Sequence, residues 1–275
     1  MKVENYRQNI NLIALLTDFG TKDYFIGAMK GAILSINSEA RIIDITHEIE
    51  PQDVSSASFT LCACYRNFPK KTIFVAVVDP GVGSNRRAVL VETENYFFIA
   101  PDNGLLSFVF NAQTSVLPEN SEINFRVYEI TNSIFIAKNV SVTFHGRDIF
   151  APVAAHLSNG VKPEEFGSEI KDFVCLPIAK PQRINDADIE AAIIHIDRFG
   201  NLITNLKRED LPGKFSLVIN GRKIEKLRSY YAEAGSGEIF MIFGSAGFLE
   251  IVAFRNSAAK LLGIENSRKI TVKIL

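Results

Sequence analysis

Two stretches of different rhythm predict an α/β fold with an N-terminal, mainly parallel sheet flanked by helices and a smaller C-terminal β-barrel domain. Up to about residue 180, apolar strands alternate with helical periods; from residue 189, short strands follow one another at modest spacing. Between them the polar run Lys180 to Asp188, carrying Pro181, marks a boundary. The expected organisation is therefore residues 1–180 as the N-terminal domain, 181–188 as a linker and 189–275 as the C-terminal domain.

The first strand is Leu12 to Leu16, which runs directly into Thr17-Asp18-Phe19-Gly20. Asp23 to Ile36 carries apolar residues at Phe25, Ile26, Met29, Ile33 and Leu34, a helical period with its start placed at Thr21. Ile42 to Ile45 is the next strand, followed by Thr46-His47-Glu48 and the turn Glu50-Pro51-Gln52-Asp53. Asp53 caps a helix that reaches Tyr65 and closes at Asn67-Phe68-Pro69. The run Ile73 to Val78 is apolar without interruption and β-branched, as expected of a strand buried on both faces. Ala88 to Glu92 and Tyr96 to Ile99, linked by Thr93-Glu94-Asn95, form a hairpin. Leu105 to Phe110 reads as a short helix, Asn111 to Asn124 as an irregular surface stretch, and Ile149 to Leu157 as a helix. In the second half the strands are Ala191 to Ile196, Leu202 to Thr204, Phe215 to Ile219, Ile239 to Phe243, Leu249 to Ala253 and Ile270 to Ile274, arranged as a small barrel or sandwich.

Composition narrows the function classes. With 275 residues, 47% hydrophobic and 22% charged, the chain has ample material for a core and the balance of a globular protein. A formal net charge of -1 provides no field for nucleic acid or anionic lipid, so neither partner is expected. The polar start, Met1 to Asn11, lacks the apolar core of a signal peptide, and no run is long enough to span a bilayer; the expectation is a cytoplasmic protein. Cys62, Cys64 and Cys175 have no His at ligand spacing and read as buried small side chains, so no metal centre is expected from them.

Chemistry-bearing residues concentrate where strands end. Asp18, Asp79, Asp102 and Asp197 each follow an apolar run, the place where open α/β sheets bind ligands, although each is equally suited to an Asx turn or helix cap. The central run ends in Asp79-Pro80-Gly81-Val82-Gly83-Ser84-Asn85-Arg86-Arg87, whose glycines permit positive φ or close approach. Phe144-His145-Gly146-Arg147-Asp148 precedes a helix, where backbone N–H groups meet ligands. No dinucleotide, P-loop or nucleophile-elbow motif occurs, and no calcium-loop spacing. Three readings remain open on these residues alone: catalysis by Asp79, Arg86 and His145, a structural or simple ligand-contact role for them, and a metal held by strand-end aspartates.

Five blocks in order carry a resemblance: Leu16 to Gly20, Val78 to Gly83 with Arg86-Arg87, Phe144 to Pro152, Asp197-Arg198-Phe199-Gly200-Asn201, and Gly244-Ser245-Ala246-Gly247. Together they resemble the S-adenosyl-L-methionine hydroxide adenosyltransferase family, relatives of the fluorinases and chlorinases, over nearly the whole chain. The resemblance implies an α/β domain followed by a β-barrel, and a homotrimer with active sites between the N-terminal domain of one subunit and the C-terminal domain of the next. It implies hydrolysis of S-adenosylmethionine to adenosine and L-methionine, with S-adenosylmethionine as substrate and no cofactor. The catalytic Asp, Arg and His of the family fall on Asp79, Arg86 and His145. The same likeness gives Asp18 the ribose hydroxyls, Asp197 the methionine ammonium, Asn201 the adenine edge, Phe144 the base or ribose face and Ser245 the methionine carboxylate. Gly146 and Phe199 join the substrate-binding set. Halogenases of this group carry an aromatic and a small hydroxyl residue where Asp79 and Val82 stand here, and an Arg where Ala246 stands. An anionic Asp79 repels halide, so water ranks above fluoride or chloride as the nucleophile.

Overall fold

The computed structural model describes residues 12–114, 125–211, 213–264 and 269–274, and divides the chain into two compact units, Met1–Pro177 and Ile178–Leu275. The first unit runs β1 (Leu12–Thr17), α1 (Phe25–Ile36), β2 (Arg41–Thr46), α2 (Val54–Cys64), β3 (Ile73–Val77), β4 (Ala88–Thr93), β5 (Phe97–Pro101), α3 (Ser107–Thr114), β6 (Phe125–Glu129), α4 (Ala151–Ser158) and β7 (Glu169–Ile170). Its 7-stranded sheet has the order β2-β1-β3-β5-β4-β6-β7. The pairings β1/β2, β1/β3 and β3/β5 are parallel; the β4/β5 hairpin turns the sheet antiparallel, and β6 and β7 continue that sense.

The uninterrupted apolar strands are explained by what lies on either side. Along β3, Ile73, Val75 and Val77 enter a core with Met29 and Ile33 of α1 and Val153, Ala154 and Leu157 of α4. Phe74, Ala76 and Val78 point the other way, into a core with Ala57 and Leu61 of α2 and Val109 and Phe110 of α3. All five residues of β3 are buried. A fully buried aliphatic side chain stabilises by about 1.5–3 kcal/mol, so a strand with two buried faces contributes from every position.

Helix ends follow local chemistry. The Asp53 carboxylate accepts from Ser56 N at 2.9 Å and starts α2, as its position before the helix predicts. The helix expected from Thr21 begins instead at Phe25, because residues 21–24 form bends and Tyr24 gives no side-chain cap. Part of the stretch expected to be irregular is helical, since α3 continues to Thr114; residues 115–124 lie outside the described set. Strand β6 was not expected: Arg126 and Glu129 interrupt its apolar run, yet Arg126 sits in register with Glu92 on β4 and their side chains pair at 2.8 Å. The helix expected over Ile149 to Leu157 is preceded by a single π-turn, Gly146–Phe150, in which the Ala151 N–H reaches back to Gly146 O.

The second unit comprises β8 (Gln182–Arg183), β9 (Asp188–Ile196), β10 (Leu202–Lys207), β11 (Phe215–Ile219), β12 (Arg222–Ile224), β13 (Ile239–Phe243), β14 (Phe248–Ala253), α5 (Ala258–Leu262) and β15 (Lys269–Ile274). Its 8-stranded sheet follows β12-β11-β15-β9-β10-β14-β13, with β8 paired to β9 off that path. All these strand pairings are antiparallel. A bridge from Leu227, just past β12, to Met241 on β13 brings the two edges together and nearly closes the sheet. The interior is filled by alternate residues such as Ile189, Ala191 and Ile193 of β9 and Leu249 and Ile251 of β14. Residues 182–183, within the expected linker, thus pair with this sheet as β8. Among the described residues no helix is long and apolar enough to cross a membrane.

Replacement of the α2 cap gives a direct check on the local reading. Asp53→Ala is expected to lower unfolding free energy by about 1 kcal/mol in urea titration, leaving the m-value unchanged.

Candidate active site

The loop after β3 returns on itself. Val82 N donates to Asp79 O at 3.2 Å, and Ser84 N donates to Gly81 O at 3.1 Å, which carries Arg86 back over Asp79. Arg86 Nε lies 2.9 and 3.1 Å from the two Asp79 oxygens, and Nη2 also donates to Oδ2. The pair is buried, with side-chain exposures of 4% for Asp79 and 10% for Arg86. The glycine at position 83 is required by both conformation and space: its φ is +78°, and an added Cβ would fall 2.2 Å from the Val142 carbonyl oxygen. Gly81 has no positive φ; a Cβ there would meet Arg86 Cγ at 3.4 Å.

His145 stands at the entry to the π-turn, with Nδ1 2.9 Å from Arg86 Nη2. A guanidinium only donates, so Nδ1 accepts, and the neutral ring carries its hydrogen on Nε2. Burial, then the Arg86 charge, holds the His145 pKa below 6.5; Asp79 and Asp148 oppose that shift in part. The Arg86 guanidinium is also 5.2 Å from the Phe150 ring centroid, which fixes its plane from behind. Asp79, Arg86 and His145, separated by up to 66 residues in sequence, thus form one continuous contact.

The other expected residues of the first unit have separate settings. Asp18 Oδ2 accepts from Gln52 N at 2.8 Å in the turn after β1. Phe144 is 6% exposed and packs edge-on against Phe19 and Phe25 at 5.9 and 5.2 Å, with the Arg147 guanidinium 5.0 Å from its ring. Gly146 is buried at the head of the π-turn. Asp102, another strand-end acid, is structural: it accepts from Arg87 and from Val174 N at 2.8 Å.

In the second unit the Asp197 carboxylate closes its own turn. Oδ1 accepts from Phe199 N and Asn201 N, each at 2.9 Å, and Oδ2 accepts from Asn201 Nδ2 at 2.8 Å. Phe199 is left 77% exposed at the tip, while Asn201 is buried. Phe199 and Asn201 line a cavity of about 570 Å³ with Tyr231, Ala253, Phe254, Arg255 and Asn256. Ser245 lies exposed in the turn between β13 and β14 and is not among these lining residues.

The cavity therefore includes residues that the sequence reading missed. Phe254-Arg255-Asn256 directly follow the apolar strand β14, so the strand-end pattern used for the first half would have found them. Tyr231 had no such signal. Glu250 is outside the cavity lining and alternates within β14; its Oε1 lies so near Gly244 that an added Cβ would come within 1.6 Å. Burial, then the Asp197 charge, raises the Glu250 pKa. Among the described residues there is no group of three or more His, Cys, Asp or Glu able to hold a metal ion.

Similarity to known proteins covers both units. The sequence model for the SAM hydroxide adenosyltransferase N-terminal domain matches residues 13–167, and that for the C-terminal domain matches residues 191–271. A Methanocaldococcus jannaschii protein named (R)-S-adenosyl-L-methionine hydrolase is 35% identical, over 96% of each chain. A Thermus thermophilus protein of the same name is 31% identical, over 94% of this chain and 98% of its own. A fluorinase from Actinoplanes is 30% identical, over 90% of this chain and 91% of its own. The crystal structure of an uncharacterized conserved protein from Thermotoga maritima has a TM-score of 0.85 at 34% identity, covering 96% of this chain and all of that one.

The His145 environment has a measurable sign. The unfolded chain takes up a proton at this residue near pH 6.5, the folded chain only at lower pH. Its contribution to stability is therefore complete above pH 6.5 and is lost as pH falls through the folded value. Imidazole NMR is expected to show His145 titrating below 6.5 and remaining neutral at pH 7.

Proposed function

Because the chain belongs to the SAM hydroxide adenosyltransferase family, we propose that it hydrolyses S-adenosyl-L-methionine to adenosine and L-methionine by attack of water at ribose C5′. The observation that carries this reading is the continuous Asp79–Arg86–His145 contact at the end of a buried strand. The reaction is an in-line displacement from a sulfonium. As the C5′–S bond breaks, sulfur keeps the electron pair and leaves as neutral thioether, so no acid is needed for the leaving group. The demand falls on the nucleophile: water must be positioned, partly desolvated and relieved of a proton as its oxygen bonds to C5′.

The hydrogen-bond pattern divides that work. His145 gives its Nδ1 lone pair to Arg86, leaving the Nε2 hydrogen as a donor that orients the water oxygen. Asp79 accepts from Arg86 through both oxygens, yet a carboxylate has about four acceptor positions, so Asp79 retains capacity for the water proton. Arg86 keeps the buried carboxylate paired and the imidazole in one tautomer. Halide at this place would face a fixed carboxylate, which favours water.

Substrate binding is assigned on the family resemblance and on placement. Asp18 takes the ribose hydroxyls, with Phe144 and Gly146 nearby in sequence to His145. Asp197 faces the methionine ammonium, Asn201 and Phe199 the adenine, and Ser245 the methionine carboxylate. The cavity beside Phe199 and Asn201 is of the size that small-molecule ligands fill. The proposed organisation keeps residues 1–180 and 189–275 as domains joined by 181–188, in a cytoplasmic homotrimer whose sites combine adjoining subunits. No cofactor takes part.

Turnover in ¹⁸O-water without added metal is expected to place the label in adenosine O5′ and to yield free methionine, unaffected by chelator. With added fluoride or chloride, no 5′-halogenated nucleoside forms. Asp79→Asn is expected to lower kcat by roughly 10²–10⁴-fold while substrate binding persists. Unlabelled adenosine, or intact substrate bound without turnover, would overturn the hydrolase reading.

A further inference from the structure

His47 follows an exposed edge strand, yet it is 4% exposed itself. The pairing of β1 with β2 explains how it turns inward: Leu15 pairs with Asp44 but Leu16 pairs with Thr46, so Ile45 is an extra residue on β2. Such a bulge re-aims the side chains that follow it. Here it brings the His47 ring over the end of β1, where Nδ1 lies 2.9 Å from Thr17 Oγ1. Thr17 is wholly buried and in register with Val77 at the end of β3, two residues before Asp79.

Two contacts from His47 bracket one residue. The ring reaches Thr17, whose hydroxyl oxygen in turn accepts from Phe19 N at 3.2 Å, and the His47 carbonyl accepts from Gly20 N at 2.7 Å. Asp18 stands between those anchor points. On its far side the imidazole faces a carboxylate: Nε2 is 3.1 Å from Asp44 Oδ1, without the alignment of a full hydrogen bond. Asp44 Oδ2 in turn pairs with Lys30 of α1 at 2.6 Å. The sequence Lys30–Asp44–His47–Thr17 therefore ties α1, β2 and β1 to the turn that carries Asp18. None of these side chains has a role in the displacement described above.

We infer that His47 is a positioning residue for ribose recognition: bound to Thr17 and Gly20 on either side of Asp18, it fixes the turn so that the Asp18 carboxylate meets vicinal hydroxyls. A carboxylate that must accept from two adjacent hydroxyls gains most from a fixed backbone, because both bonds depend on one orientation. Gln52 N already occupies one acceptor position on Oδ2, which narrows the remaining geometry further. The inference rests on the assignment of Asp18 to the ribose.

The test compares adenosine with 2′-deoxyadenosine by calorimetry, on the full-length wild type and on His47→Leu, Thr17→Val and His47→Asn, each checked for folding by circular dichroism. Wild type is expected to prefer adenosine by roughly 10- to 100-fold, the value of one hydrogen bond to a charged group. In His47→Leu and in the isosteric Thr17→Val, adenosine should weaken to the level of 2′-deoxyadenosine, whose own affinity stays within about threefold of the wild-type value. His47→Asn, whose side-chain amide can either accept from or donate to Thr17 Oγ1, should recover part of the preference. With S-adenosylmethionine the same loss should appear in KM, with kcat within about threefold. A preference retained in both folded variants, or equal weakening of the two nucleosides, would overturn the role of His47 while leaving the hydrolase reading intact. A wild type that binds neither nucleoside would overturn the assignment of Asp18 first, and this inference with it.

Discussion

A strand buried on both faces has only its ends for polar side chains. β3 meets that constraint: every residue from Ile73 to Val77 is buried, and the first titratable group beyond it is Asp79. A carboxylate at such a place is costly unless paired, and Arg86 supplies the pair from the same loop. The guanidinium, in turn, fixes His145 on a separate element. Burial of a strand thus determines where charge is allowed, and the pairing of that charge determines what a histidine 59 residues beyond Arg86 can do. Asp102 shows the same constraint answered differently: its partner Arg87 also meets Asp172 at 2.9 Å, so that pairing fastens chain segments together.

Much of this was legible from residue order. The uninterrupted run Ile73 to Val78, the helix capped by Asp53 and the hairpin at Thr93-Glu94-Asn95 each obey one local rule, and each is found where that rule puts it. Elements held by partners distant in sequence were not legible. Strand β6 depends on Glu92 for its Arg126, and β8 is a two-residue strand that exists only because β9 lies beside it. The site divides in the same way. The candidates Asp18, Asp79 and Asp197 stand out in the sequence because each follows an apolar strand, whereas His47 is turned inward by a bulge that no property of the residues 41–46 reveals. Tyr231 reaches Asn201 from a segment 30 residues away, and Glu250 comes near the Asp197 turn because β14 pairs with β10.

The two sets of polar residues are stabilised by different means. Around Asp79 the order comes from opposite charges on largely buried side chains. Around Asp197 it comes from a short closed turn, in which the carboxylate accepts from backbone and side chain of residues 199–201. The first arrangement is suited to altering proton affinity, as the low pKa of His145 illustrates. The second is suited to presenting fixed dipoles and an aromatic face next to a cavity, as Phe199 and Asn201 do.

The π-turn at Gly146–Phe150 has a consequence for how the chain tolerates change in length. A π-turn is an α-helical turn holding one additional residue, and each residue of an α-helix advances by about 100° around its axis. Relative to α4, whose Val153, Ala154 and Leu157 are committed to the sheet, His145 is therefore offset in phase from where a plain helix would present it. Deleting one residue between Phe144 and Ala151 would let the helix run regularly and keep its apolar stripe on β3. The same deletion would swing the imidazole away from Arg86 and re-aim the buried side chains of the turn, so the length of this segment, as well as its composition, holds the contact at the end of β3 together.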